Sequence, residues 1–234
     1  MRLFLSIVLG VVLMVGQASA EEKKVLQTAK EKQSYSMGAD IGARMKSQSI
    51  EVEPDAFSQG LKDALSGGKK LMTDDEIRET LTALQKELRD KQMERNKVLG
   101  EKNKKEGDAF LAENKKKEGV ITLPSGLQYK VLKEGTGKSP KADDTVVCNY
   151  RGTLIDGTEF DSSYKRGEPA TFPLNQIIPG WTEALQLMKE GAKWQLFIPS
   201  NLAYGEQSTG IIGPNSVLIF EIELISVKDK QPAQ

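Results

Sequence analysis

The sequence predicts an α+β protein in which an all-helical N-terminal half precedes a β-rich C-terminal half. Residues 21–118 contain no tryptophan and a single proline, Pro54, and they are rich in residue types that favour helices. Residues 119–234 contain the other eight prolines, both tryptophans and the β-branched runs that favour strands. The abrupt change near Gly119 therefore separates two parts that differ in secondary structure.

The residue types that the chain lacks exclude several classes of function. Its 234 residues include 33 Lys and Arg and 33 Asp and Glu, and this balance argues against nucleic acid as a partner. With no histidine, the chain cannot form a Ser-His-Asp triad or a His-ligated metal site. Its single cysteine, Cys148, cannot form an intramolecular disulfide or a multi-thiolate metal site. Any catalysis must therefore use carboxylates, hydroxyls, lysines, backbone groups or the shape of a pocket.

Residues 1–20 have the pattern of a cleaved signal peptide. Arg2 precedes an apolar run over residues 3–15, and the small residues of 18–20 form an A-x-A cleavage site before Glu21. A single membrane anchor is the alternative, although the run is short for a membrane span. We expect a mature chain without a span. A secreted chain without disulfides fits the periplasm, with the outer surface as the alternative location.

Residues 21–72 predict a helical dimerisation domain. The first helix is predicted over 22–47, and the second begins after Pro54 and is ended by Ser66-Gly67-Gly68. The first helix carries apolar and small residues one turn apart, which are Met37, Gly38, Ile41, Gly42 and Met45. Small residues allow another helix to approach closely, and methionine fills irregular gaps. We expect this face to contact a second copy of the chain, with an ordinary intramolecular core as the alternative.

Residues 73–118 predict a long connecting helix. Thr73 and Glu76 form a capping box at its start, and an apolar seam with 4-3-4 spacing follows over 77–88. Beyond this seam the stretch is polar on all sides, and Gly100 and Gly107 weaken it. A continuous helix would span roughly 69 Å at 1.5 Å per residue; a disordered charged linker is the alternative. In either case we expect it to separate two bodies and to bury little core.

Residues 119–234 predict a small sheet with one helix. Four segments have strand patterns: 127–132, 145–151, 193–199 and 217–227. Asp156-Gly157 is a hairpin turn signal, and a short helix is predicted over 182–189. Four or five strands with a single helix make this part an α+β domain.

The chemistry-bearing residues of this domain are mainly aromatic. The carboxylates of Asp156, Glu159 and Asp161 are not spaced as a recognisable catalytic pair, and there is no glycine-rich phosphate loop with basic residues. Five aromatic residues lie at a strand end, a turn or a helix start: Tyr150, Phe160, Trp181, Tyr204 and Phe220. From composition alone they are either the core of a small sheet or the walls of a binding pocket.

The order of short motifs decides between these two interpretations. The motifs are Tyr150-Arg151-Gly152, Asp156-Gly157, Phe160-Asp161-Ser162-Ser163, Ile177-Ile178-Pro179-Gly180-Trp181, Ala203-Tyr204-Gly205, Gly210-Ile211-Ile212 and Leu218-Ile219-Phe220. In this order, over residues 120–228, they closely resemble the FKBP family of peptidyl-prolyl cis–trans isomerases. The whole layout resembles the Mip-like (macrophage infectivity potentiator) subgroup, with a signal peptide, a helical dimerisation module, a long helix and a C-terminal FKBP domain.

The resemblance implies a half-wrapped antiparallel sheet around one short helix, with no cofactor and no metal. It places a proline ring over Trp181, between aromatic walls that include Tyr150 and Phe160. Tyr204 would donate its hydroxyl to a substrate carbonyl, and Asp161 would lie among the polar groups of the rim. The further substrate-binding positions that it implies are Arg166, Phe172, Ile177, Ile178, Ile211, Ile212 and Phe220. For Arg166, a salt bridge that holds Asp161 is the alternative role.

Catalysis by pocket shape agrees with the absence of histidine. Rotation about an X-Pro bond faces a barrier of about 18–20 kcal/mol because amide resonance is lost. A site that fits the twisted amide better than the planar amide lowers this barrier without a nucleophile, metal or titrating base. We therefore expect no residue to transfer a proton and no pH optimum set by a side chain.

The expected activity is prolyl isomerisation that assists the folding of exported proteins. The expected partners are unfolded or partly folded polypeptides that contain proline, macrolide inhibitors and a second copy of the chain. A chaperone domain that only binds clients, and a surface protein in which the long helix is the functional part, are the alternatives. Ala170, where many family members have an aromatic residue, and the small loop 206–209 are expected to open the pocket rim and to bear on macrolide affinity.

Overall fold

The computed structural model describes residues 25–228, so the predicted signal peptide lies outside the described residues. The chain divides into two compact units with the boundary between Thr73 and Asp74. The helices are α1 (Ala29–Ser47), α2 (Pro54–Ser66), α3 (Asp74–Asn114), α4 (Ser163–Arg166) and α5 (Pro179–Leu187). The strands are β1 (Val120–Thr122), β2 (Gln128–Lys133), β3 (Thr145–Thr153), β4 (Glu159–Ser162), β5 (Ala170–Pro173), β6 (Lys193–Ile198) and β7 (Leu218–Lys228).

Helix α1 begins later than the sequence predicts because a capping box fixes its start. The Thr28 hydroxyl accepts a hydrogen bond from the Glu31 N–H at 3.1 Å, and the Glu31 carboxylate accepts one from the Thr28 N–H at 2.9 Å. These two bonds satisfy backbone donors that would otherwise be unpaired at a helix start. The prediction of a helix from residue 22 is therefore wrong, since residues 25–28 lie outside it.

The first unit leaves its apolar side chains open to solvent in the single chain. Among the described residues, none in α1 or α2 is buried. Met37 is 66% exposed and Leu65 is 80% exposed, and Tyr35, Leu61 and Leu71 are exposed as well. Most of the stability of a helix in a protein comes from the packing of one face against other parts of the fold. An isolated chain therefore gives this unit little hydrophobic stabilisation.

The charged stretch is one continuous helix, α3, which ends four residues before the predicted limit. Oppositely charged side chains one turn apart lie along it, such as Glu87 and Lys91 at 2.6 Å and Lys104 and Asp108 at 3.1 Å. Each such exposed pair stabilises a helix by only about 0.2–0.5 kcal/mol. Several of them together support a helix that lacks an apolar face along most of its length.

The expectation that this helix buries little core needs correction for its C-terminal third. Gly100, Gly107 and Asn114 are buried there. Asn114 Nδ2 donates to Gln128 Oε1 on β2 at 3.0 Å, and Gln128 Nε2 donates to the Leu111 carbonyl at 2.9 Å. The two glycines do not only weaken the helix: because they have no side chain, they let the folded domain approach it closely.

The second unit contains a seven-stranded sheet in which all pairs are antiparallel. The strand order is β1-β2-β6-β7-β3-β4, and β5 pairs with β3 beside this path. Helix α5 buries Trp181, Ala184 and Leu185 in the core that the sheet forms. The predicted mixed fold, a sheet around one short helix, is confirmed. Strands β1 and β5 were not predicted.

Two local signals position the site. Asp156-Gly157 forms the turn between β3 and β4, as predicted, with Gly157 at φ +87° and the Thr158 N–H donating to Asp156 Oδ1 at 2.9 Å. Helix α5 begins at Pro179, three residues earlier than predicted, because proline fits the first turn of a helix.

Across residues 25–228, no helix is both long and apolar enough to cross a membrane.

Candidate active site

An aromatic cavity of about 790 Å³ lies on the second unit between β3, β4, α5 and the loop after β6. The cavity is lined by every predicted site residue except Arg166. These residues are Tyr150, Phe160, Asp161, Phe172, Ile177, Ile178, Trp181, Tyr204, Ile211, Ile212 and Phe220. The structure thus brings together residues that are as much as 70 positions apart in the chain. Five further residues line it and were not predicted as site residues: Pro179, Ala203 and Gly210 lie inside the quoted motifs, and Gln176 and Thr209 directly precede two of them.

Trp181 forms the buried base of the cavity. Its ring meets those of Tyr150 and Phe220 nearly edge-on, with centroids 5.1 Å apart in each pair, and that of Phe172 at 5.5 Å. Edge-to-face packing is the favoured geometry of aromatic pairs and stabilises each by about 0.5–1.5 kcal/mol. The preceding Gly180 is required, because a Cβ there would lie 2.5 Å from Ile198 Cγ2. The three aromatic rings and the close contact of Gly180 with Ile198 therefore fix the orientation of the Trp181 indole.

Phe160 and Phe220 form the opposite wall. Their ring centroids lie 5.4 Å apart at an interplanar angle of 85°. Both rings lie against Gly152 of β3, where a Cβ would be 2.6 Å from Phe160 and 2.7 Å from Phe220. The glycine of the Tyr-Arg-Gly motif therefore gives these two rings their space.

The polar rim is a cluster of three side chains. The Tyr150 hydroxyl donates to Asp161 Oδ2 at 2.5 Å, and the Arg166 guanidinium donates to Asp161 Oδ1 and, at 2.6 Å, to the Tyr150 hydroxyl. The Ser162 N–H adds a bond to Asp161 Oδ1 at 2.8 Å. Arg166 lies outside the cavity lining and forms the salt bridge with Asp161 that was its alternative role, and its contact with substrate stays a prediction.

These contacts shift the pKa of both acidic groups. Partial burial works to raise the pKa of Asp161, but the bonds from Tyr150 and Arg166 outweigh it, and the net pKa is below the ordinary value. Burial and the bond to the Asp161 carboxylate raise the pKa of the Tyr150 phenol. At neutral pH the rim is therefore one charged pair of fixed geometry, with Tyr150 protonated between its members.

The site has a few hydrogen-bond donors without a partner among the described residues, at the cavity mouth and at its base. Tyr204 follows the turn Ser200–Leu202, and its ring is partly exposed. Within residues 25–228, the Ile178 N–H donates no backbone hydrogen bond, while the Ile178 carbonyl accepts from Trp181 and Thr182 at the start of α5. The Trp181 indole N–H is buried with no partner among the described residues. The cavity therefore offers apolar walls and a few donors, which suits a proline ring flanked by peptide carbonyls.

The residues that depart from the family pattern lie in different places. Ala170 is at the start of β5, paired with Cys148 of β3 and packed against the core, so its small size does not open the cavity rim as expected. Thr209, in the small loop, does line the cavity.

Among the described residues, no group of three or more acidic or cysteine side chains is placed to hold a metal ion.

The sheet around one helix and the aromatic cavity define the class of an FKBP-type prolyl isomerase. Two family models match the chain: the domain amino-terminal to FKBP-type peptidyl-prolyl isomerase over residues 30–131, and FKBP-type peptidyl-prolyl cis-trans isomerase over residues 136–225. The chain therefore belongs to the FKBP family and is an FKBP-type peptidyl-prolyl cis–trans isomerase.

Particular relatives resemble the chain over nearly its whole length. It is 48% identical to the outer membrane protein MIP of Legionella longbeachae over 229 residues, covering 97% of this chain and 98% of that protein. It is 48% identical to the peptidyl-prolyl cis-trans isomerase Mip of Coxiella burnetii over 223 residues, 95% and 96% of the two chains. The crystal structure of FkpA from Escherichia coli matches at a TM-score of 0.65 and 39% identity, covering 88% and 99%. The resemblance to Mip is confirmed.

Proposed function

We propose that this isomerase assists the folding of exported polypeptides by holding a prolyl bond in the aromatic cavity and stabilising its twisted amide. The observation that carries the proposal is the Trp181 base with edge-on rings on three sides. A twisted amide has a less polar carbonyl than a planar amide, so apolar walls favour it. Each ~1.4 kcal/mol of preferential binding accelerates rotation about tenfold.

Each residue of the site then has a role that needs no proton transfer. The proline ring packs on Trp181 between Tyr150, Phe160 and Phe220. The Tyr204 hydroxyl and the Ile178 N–H donate to substrate carbonyls on either side of the bond. Asp161, held by Arg166, orients the peptide at the rim.

A protease-free proline isomerisation assay on the full chain tests this proposal. Tyr204→Phe removes one hydroxyl at the cavity mouth and keeps the ring, and we expect kcat/KM to fall by about two- to tenfold for the loss of one hydrogen bond. Tyr164→Phe is the matched control, because Tyr164 is exposed on α4 and outside the cavity. Equal losses in both variants would contradict the role of Tyr204, and no acceleration by the wild type would contradict the whole proposal.

The apolar surface of the first unit supports a homodimer. The exposed side chains of α1 and α2 need a partner, and a second copy of the chain presents the same face in a two-fold arrangement. Met37→Glu is expected to halve the mass measured by light scattering. Ala43→Glu places the same charge on the polar face of α1, beside Ser36 and Asp40, and should leave the mass unchanged. A wild-type monomer at micromolar concentration would contradict the dimer.

The same surface favours one second function, a chaperone that binds unfolded clients. Two joined copies would hold a client near two cavities and raise its effective concentration. The measurement is suppression of the aggregation of an unfolded protein by the wild type and by Tyr204→Phe. Protection that persists when isomerisation falls would show both activities, whereas no protection would exclude the chaperone.

The location and the inhibitors complete the proposal. Residues 1–20 predict export to the periplasm, with the outer surface as the alternative, and cell fractionation with N-terminal sequencing from Glu21 tests both. The cavity also suits a macrolide that mimics a prolyl peptide. Competition of such a macrolide with a peptide substrate is expected, and unchanged kcat/KM at saturating macrolide would contradict it.

A further inference from the structure

The C-terminal third of α3 packs against the loop that carries part of the cavity wall. Gly100, Asn103 and Gly107 lie on one face of the helix at the spacing of one and two turns. Asn103 Nδ2 donates to the Pro214 carbonyl at 2.8 Å. A Cβ at Gly107 would lie 2.7 Å from Val217 Cγ2, so the helix and the end of the loop are in close contact.

This loop, residues 205–217, is a closed unit. The Asn215 N–H donates to the Gly205 carbonyl at 2.7 Å, which ties its two ends together. Thr209 and Ile212 exchange two backbone bonds, of 2.9 and 3.0 Å. Both the ends and the middle of the loop are therefore held by backbone hydrogen bonds.

The middle of the loop carries Ile211 and Ile212, which both line the cavity. Ile212 is 6% exposed and belongs to the core, whereas Ile211 is 60% exposed at the rim. Ile211 also lines a second groove of about 260 Å³, whose other wall includes Leu99 and Asn103 of α3. The Ile211 side chain thus lines both the prolyl cavity and the groove beside α3.

The contact leaves little space for other arrangements. A Cβ at Gly213, one residue after Ile212, would lie 2.9 Å from Asn103 Nδ2 and 3.0 Å from Leu99 Cδ2. Asn103 Nδ2 is also 3.4 Å from Ser216 Oγ, and Ser216 Oγ donates to the Gly213 carbonyl at 2.8 Å. The Asn103 amide group therefore contacts Pro214 and Ser216 and lies close to Gly213, all within the last part of the loop.

We infer that α3 belongs to the active-site apparatus, and that Asn103 is a positioning residue that fixes loop 205–217 and thereby the placement of Ile211 over the substrate. The inference rests on the proposed function of the cavity. Ile211 is at the rim, where the side chain next to the proline must pass. We therefore expect Asn103 to influence which residue the site accepts beside the proline, and not only to stabilise the domain.

The test uses the full chain with Asn103→Asp and Asn103→Leu. Both keep the approximate volume and remove the amide donor, and Asn103→Asp also places a carboxylate near the Pro214 carbonyl. The matched control is Asn96→Leu, two turns earlier on α3, where the Asn96 amide oxygen accepts from Gln92 on the same helix. Hydrogen exchange of residues 205–217 is measured together with kcat and KM for two peptides, with Ala or Phe before proline.

We expect amide exchange in the loop to accelerate roughly two- to tenfold in both Asn103 variants, the range for one lost hydrogen bond, and not in Asn96→Leu. We also expect the ratio of kcat/KM for the Phe and Ala peptides to change, mainly through KM. A purely structural role of Asn103 would lower kcat/KM equally for the two peptides and leave their ratio unchanged. That result would overturn the inference. Unchanged exchange would overturn it as well. A wild type with no isomerase activity would instead contradict the proposed function.

Discussion

At the scale of single residues, the rim carboxylate of Asp161 couples the site to stability. Its pKa is lowered in the folded protein, so the folded state binds fewer protons there than the unfolded state near pH 4. The stabilisation by its contacts with Tyr150 and Arg166 is therefore fully present above the ordinary carboxyl pKa. It is lost as the pH falls through the lower, folded value.

We expect the difference in unfolding free energy between the wild type and Asp161→Asn to be constant from pH 6 to 8 and to shrink below about pH 4. Urea unfolding at several pH values measures it. Asp156→Asn is the comparison: the pKa of Asp156 is also lowered, by hydrogen bonds from Thr158 in an exposed turn, so its difference should shrink over the same pH range without any contact to Tyr150 or Arg166. A difference that grows towards low pH would contradict the sign of this linkage.

The single thiol gives a second prediction at this scale. Cys148 is fully buried on β3, and burial raises its pKa to about 12. The reactive thiolate is therefore scarce and shielded at neutral pH. We expect no reaction with a disulfide reagent in the native protein and one thiol per chain after unfolding in guanidinium. Rapid labelling of the folded protein would contradict the buried placement.

The sequence could predict the cavity residues because all of the predicted ones except Phe172 lie in short motifs whose order along the chain resembles that of the FKBP family. It could not predict that Asn103 and Gly107 pack on the domain, because that face of α3 mixes small and polar residues with isolated apolar ones such as Leu99 and Phe110. Hydrophobic periodicity, the main signal of a packed helix, does not register such a face. The polar pattern of α3 predicted a solvated helix, which holds only for its earlier part.

At the scale of elements, the glycines of α3 are sites of close approach. Alanine favours a helix over glycine by about 1 kcal/mol, so Gly107→Ala should stabilise an isolated helix. In the folded domain the new Cβ would lie 2.7 Å from Val217 Cγ2. We therefore expect Gly107→Ala to lower the melting temperature by several degrees, the scale of about 1–2 kcal/mol of overpacking.

A size exchange provides the control for this prediction. Val217→Ala in the Gly107→Ala background removes the crowded methyl groups and should recover part of the lost melting temperature. Gly60→Ala changes a helical glycine of α2 with no atom within 4 Å of the new Cβ and should not lower it. Additive losses in the double variant would show that Gly107 and Val217 do not interact.

Element length explains what the sequence predicted of the sheet and what it missed. Segments such as 193–199 alternate over a full strand, and the structure has β6 at Lys193–Ile198. Strand β1 has three residues and β5 has four, including Pro173 at its end. So short a segment carries no measurable alternation, and its pairing is decided by the neighbouring strand.

At the scale of the whole molecule, the cavity and the exposed apolar surface lie in different units of the chain. Every residue of the cavity lies in the second unit, which includes α3. The first unit has no buried residue in its two helices, both within the described residues. This separation predicts that catalysis on short peptides and action on long polypeptides depend on different units.

A comparison of the full chain with two fragments tests this separation. Residues 74–234 keep the cavity and α3, so we expect kcat/KM on a short peptide equal to that of the full chain. We expect weaker acceleration of a protein whose refolding is limited by proline isomerisation, because without the first unit the proposed dimer would no longer hold one client near two cavities. Residues 119–234 also lose α3, which exposes the buried face of Phe197 that Phe110 covers at 6.0 Å, and the melting temperature should fall. Equal action of the full chain and residues 74–234 on the protein substrate would show that the first unit has no part in catalysis on long chains.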